Sequence, residues 1–196
     1  MAFHAQPGEF YTIRRKVFKL FGAAFHVYDP SGAVIGYCKQ KAFKLKEDIR
    51  LFTDETMTQE ALLIKARSII DFGATYDVTT PQGQVMGSFR RKGMASTFIR
   101  DHWLVFDAAG RQIAELREES GMLGILRRYI DLVGLLVPQQ YRLTTASGRD
   151  VANFRTHVNP FVYRLSIAVL ADDEILEDTM ILAAGCLIAA IEGRQD

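Results

Sequence analysis

Cysteine is almost absent from this chain: Cys38 and Cys186 are the only two in 196 residues. Two thiols cannot build a disulfide framework, so a reducing cytoplasm is the expected compartment. An excess of charge is missing as well. Twenty-four Lys and Arg stand against 23 Asp and Glu, a formal net charge of +1. No global field draws such a chain to nucleic acid, so none is expected as a partner, and an electrostatic partner must be met by a local patch. The first ten residues carry neither a basic n-region nor an apolar h-region, so no secretory signal is expected. The longest apolar run, residues 180–191, falls short of the ~20 residues that span a bilayer. No Pro-, Gly- or Ser-rich linker divides the chain, and residues 1–196 are expected to form a single domain.

That apolar run organises what is present. Met180, Ile181, Leu187, Ile188 and Ile191 fall on one side of a helix, with Ala183, Gly185, Cys186, Ala189 and Ala190 opposite. A helix that is apolar all round is a buried one. At ~1.5 Å per residue it is roughly 20 Å long, too short to cross a membrane and suited to a protein core. The pattern predicts a core helix over about residues 174–192, with small residues where strands approach closely.

Around it the sequence repeats one theme. Asp29-Pro-Ser-Gly32, Thr80-Pro-Gln-Gly83, Asp107-Ala-Ala-Gly110 and Thr145-Ala-Ser-Gly148 each separate two apolar stretches. Gly supplies the positive φ of a tight turn, and a leading Asp or Thr can bond the turn's backbone. Four hairpins follow. Longer strands alternate between them: Tyr11, Ile13 and Val17 against Thr12, Arg14 and Lys16, and Phe161, Tyr163, Leu165, Ile167 and Val169 against Val162, Arg164, Ser166, Ala168 and Leu170. Residues 44–52 and 61–69 add two more strands. Sequential strands with short turns make an antiparallel meander, whose edges disappear most completely on closure. The expected fold is mainly β, a closed antiparallel barrel around the C-terminal helix. Residues 121–137 break the theme with helical spacing at Met122, Leu126, Tyr129, Ile130, Val133 and Leu136. They read as a plug for one mouth of the barrel, or as an amphipathic surface for a membrane or partner.

Several blocks resemble a known family. They are Tyr11-Thr-Ile-Arg-Arg-Lys-Val-Phe-Lys-Leu-Phe-Gly22, residues 41–50, 59–67 and 87–93, and the closing Ile191-Glu-Gly-Arg-Gln195. The chain resembles the LURP-one-related proteins of the tubby C-terminal-like superfamily, which also holds the phospholipid scramblases. The resemblance implies about twelve strands around a hydrophobic helix. It implies no agreed activity: tubby domains bind phosphoinositides, and scramblases are tied to lipid movement and calcium.

The cationic stretch Arg90, Arg91 and Lys92 follows the second hairpin, and Lys41, Lys44 and Lys46 precede it. On neighbouring strands such residues could hold phosphate, Arg by its fork and Lys as a point charge. The alternative is a solvated outer wall. Asp172, Asp173, Glu174, Glu177 and Asp178 stand before the apolar helix, where scramblases carry a calcium-linked segment. EF-hand spacing is absent, and acids also suit a helix start. No P-loop, nucleophile elbow, dinucleotide fingerprint or H-E-x-x-H is present, so no cofactor and no enzyme are expected. In Arg100-Asp-His-Trp103 the adjacent Asp and His would point to opposite faces of a strand. The expected function is a monomeric, non-enzymatic cytoplasmic binding module, peripheral at the membrane, for phosphoinositide or another acidic lipid or phosphorylated ligand. The alternative is a scramblase-like membrane-associated protein involved in phospholipid movement.

Overall fold

Alternation of apolar and polar residues builds the wall, and an unbroken apolar stretch fills it. The structure, a computed structural model, describes residues 3–16, 23–40, 48–67, 75–92, 102–119, 138–157 and 162–192. Twelve strands close into one antiparallel barrel. They are β1 (Phe10–Lys16), β2 (Ala23–Tyr28), β3 (Val34–Gln40), β4 (Asp48–Phe52), β5 (Glu60–Ala66), β6 (Thr75–Thr79), β7 (Val85–Arg91), β8 (His102–Asp107), β9 (Gln112–Glu118), β10 (Gln140–Thr145), β11 (Asp150–His157) and β12 (Val162–Val169). Each pairs with its sequence neighbours, and β12 closes the ring on β1. The single helix described, α1 (Asp178–Glu192), lies inside.

The four turns form by the chemistry of their residues. Gly32, Gly83, Gly110 and Gly148 have φ of 86°, 84°, 78° and 86°. In each turn the leading side chain accepts an N–H four residues on: Ala33 to Asp29, Gln84 to Thr80, Arg111 to Asp107 and Arg149 to Thr145. A register shift at the strand end beside each turn is the bulge that three-residue hairpins carry. These turns define one end of the barrel, and α1 starts at that end.

Period two decides what faces inward. Tyr11 and Ile13, Phe25 and Val27, and Leu165, Ile167 and Val169 are all buried. Their strand neighbours Arg14 and Arg164 are exposed. Residues 180–190 are buried without exception, and α1 packs against β1, β4, β5, β7 and β12. Gly185 provides the close approach expected of the small-residue side, facing Ile167 and Ile13.

Two boundaries differ from expectation. The helix begins at Asp178 rather than near residue 174. The preceding acids make their own turn, in which the N–H groups of Ile175 and Leu176 donate to Asp173 Oδ1 at 3.0 Å. Strand β5 ends at Ala66, and β4 is described from Asp48. Val17, Lys41, Lys44, Lys46 and the helical pattern at 121–137 lie outside the described residues.

Candidate functional site

With the interior occupied by α1, the candidate chemistry is that of the outer wall. Strand β7 carries Arg90 and Arg91 to its end, and alternation sends them in opposite directions. Arg90 is exposed and lies over the Phe106 ring of β8, 4.7 Å from its centroid. Arg91 is half-buried over Trp103, at 5.7 Å, on the side where Phe89 and Trp103 fill the core. Lys92 is exposed just past the strand, where its N–H donates to the His102 carbonyl at 2.9 Å. Arg90 and Lys92 therefore face solvent as a pair, while Arg91 belongs to the barrel's lining.

The neighbouring strands add to this pair. His102 of β8 stands opposite Arg117 of β9. Glu115 binds both, with His102 Nε2 3.1 Å from its Oε2 and Arg117 Nε donating to the same oxygen at 2.7 Å. Burial would raise the Glu115 carboxyl, but Arg117 and His102 pull it below the usual carboxylate range. Burial holds the His102 pKa below 6.5 despite Glu115, and the positive charges of Arg117 and Lys92 act in the same direction. Among the described residues, the carboxylate of this cluster, Glu115, is thus committed to His102 and Arg117, leaving Arg90 and Lys92 for an external anion.

The described strands next to the two cationic stretches are not the neighbours expected. Strand β7 pairs with β6 and β8, whereas β3 and β4, which flank the Lys41, Lys44 and Lys46 segment, lie beyond β5 and β6. Closure in sequence order puts three steps of the ring between β4 and β7. The acidic segment is dispersed in a similar way. Asp173 caps its own turn, and Asp178 Oδ2 accepts the Ala5 N–H at 3.0 Å. Among the described residues no three His, Cys, Asp or Glu side chains gather as metal ligands do. His102 faces outward in part and Trp103 is buried, as strand alternation requires.

A second cationic group escaped the sequence reading. Arg14, Arg155, Arg164 and His157 face outward from β1, β11 and β12. The signal available was outward alternation in each strand; their meeting depends on register.

A family model described as LURP-one-related matches residues 34–174. No curated protein and no solved structure matches the chain. The match covers well over half the sequence, and the chain belongs to the LURP-one-related family.

Proposed function

We propose that this LURP-one-related barrel is a non-enzymatic binding module for an acidic lipid headgroup, held on its outer wall by Arg90 and Lys92. The observation carrying this reading is the exposed pair beside a carboxylate already bound by His102 and Arg117. An anionic surface supplies what the wall lacks there. Each cation near such a surface contributes about 1 kcal/mol, enough in combination for reversible attachment. Both cysteines are free and buried, which agrees with action in the reducing cytoplasm. A scramblase-like role would require α1 to leave the barrel and expose residues 180–190, all buried at present; no observation favours that.

The test is sedimentation with phosphatidylcholine vesicles containing phosphatidylinositol 4,5-bisphosphate at low salt. Binding should be lost in Arg90→Ala/Lys92→Ala and weaken steeply with salt, because exposed charges are screened within ~10 Å at 0.1 M. Stability should fall by no more than about 1 kcal/mol, the contribution of the exposed Arg90 stack on Phe106. Wild-type protein that ignores these vesicles would sink the reading.

A further inference from the structure

The outer wall opposite β7 carries a row of cations that face one another. Around the ring, β1 is separated from β7 by six steps, through β12, β11, β10, β9 and β8, so the two strands occupy opposite sides of the barrel. Arg14 of β1 lies directly across from Arg164 of β12, and Arg164 directly across from His157 of β11. One step along, Thr12 faces Ser166, and Ser166 faces Arg155. Directly opposed side chains have Cβ atoms roughly 4.5–5.5 Å apart, and like charges in that position destabilise a sheet.

The wall does not neutralise this row. Outward positions at residues 10–14, 164–168 and 153–157 include no Asp or Glu. Among the described residues, Arg14, Arg155 and Arg164 make no ion pair; Arg14 instead lies over the Tyr28 ring at 4.8 Å. The carboxylate at the border, Glu55, is taken by His26 at 2.6 Å. Hydroxyl groups are interleaved with the cations, and Ser166 Oγ is 2.7 Å from His157 Nε2. The His157 pKa is lowered by burial first, then by the charges of Arg164 and Arg155, so the positive field is felt at the imidazole.

We infer that Arg14, Arg164 and Arg155, with the hydroxyls of Thr12 and Ser166, form a site for a phosphomonoester on the β1, β12 and β11 wall. Opposed guanidinium groups repel one another when empty and are bridged by a dianion, whose oxygens each accept from an arginine fork. Ser166 and Thr12 add neutral donors on the same rows. The inference shares only its ligand class with the β7 reading. A flat bilayer cannot touch two opposite walls at once, so the two sites are separable by experiment.

Two probes distinguish a soluble ligand from a lipid headgroup: inositol 1,4,5-trisphosphate by calorimetry, and the phosphatidylinositol 4,5-bisphosphate vesicles by sedimentation. Arg14→Gln/Arg164→Gln should weaken trisphosphate binding at least tenfold while melting close to the wild-type temperature, since removal of the repulsive pair offsets loss of the Arg14 stack on Tyr28. Arg90→Ala/Lys92→Ala should leave trisphosphate binding within threefold. A parallel tenfold loss of vesicle binding in the Gln variant supports the site and makes its phosphate a lipid's; unchanged vesicle binding supports it with a soluble ligand. In either case trisphosphate should shift the His157 ring resonances of the wild type. Trisphosphate that fails to bind wild-type protein, or binds the Gln variant equally well, overturns the inference whatever the Arg90 and Lys92 variants do. Vesicle binding that survives loss of Arg90 and Lys92 overturns the β7 reading alone.

Discussion

Gly185 of α1 meets Ile167 of β12 so closely that a Cβ added to it would lie 2.5 Å from Ile167 Cδ1, with Ile13 Cδ1 at 3.2 Å. A second glycine, Gly87 of β7, is tighter in kind. Its Cβ would sit 2.4 Å from the Phe106 carbonyl oxygen and 2.9 Å from Met180 Cε. A side-chain tip can rotate away, whereas a paired backbone carbonyl cannot.

Gly185→Ala should therefore destabilise the protein only modestly. Helix propensity favours Ala by about 1 kcal/mol, and overpacking costs about 1–3 kcal/mol, so the net loss is on the order of 1 kcal/mol. Gly185→Leu and Gly87→Ala should lose more. Urea unfolding ranks the three, and a Gly185→Ala protein more stable than wild type would show that this contact is loose in solution. Ending the chain at Asp178 should leave an insoluble product, because the removed residues are the core.

Arg90 and Arg91 are adjacent but should behave oppositely. Arg91 stacks on buried Trp103, and such cation–π contacts reach about 2 kcal/mol when desolvated. Arg91→Ala should lower stability by about 1–2 kcal/mol and spare vesicle binding. Arg90→Ala should weaken vesicle binding and cost about 0.5–1 kcal/mol, that of an exposed stack. Equal effects of the two on stability, measured by urea unfolding, would contradict the inward and outward assignment.

The turns should register in the pH dependence of stability. Asp29 is held below its ordinary 3.8 by Ser31 and the Ala33 N–H, and Asp107 by the Arg111 N–H and side chain. A depressed carboxylate contributes its stability fully above the unfolded pKa, and loses it as pH falls through the folded value. Asp29→Asn keeps an acceptor and removes the titration. The decline of its urea midpoint between about pH 5 and pH 2 should be shallower than that of the wild type. Parallel curves for the two proteins would refute the contribution.

The acids before α1 should need no metal. Asp173 and Asp178 already accept backbone N–H groups. Chelator should leave the melting temperature unchanged, and millimolar calcium should not raise it. A rise of several degrees would mean that the segment binds calcium in the folded state, since a ligand of the folded state stabilises it by mass action.

Patterns carried by neighbouring residues were legible in the sequence. The alternation at Tyr11, Ile13, Leu165 and Ile167, the four turn glycines and the apolar run from Met180 announced strands, hairpins and core helix, because each depends on a period or a local φ. The opposite directions of Arg90 and Arg91 were equally open to period two. Register across separate strands was not. Arg14 faces Arg164 only because β12 closes on β1 in one alignment, and a shift of one residue would turn every side chain to the other face. That alignment is chosen by packing Ile13, Leu165 and Ile167 around α1, an energy shared among residues far apart in the chain. The separation of β3 and β4 from β7 likewise follows from the order of strands around the ring. Local chemistry made the elements of this protein, and closure around the helix decided which of its charges meet.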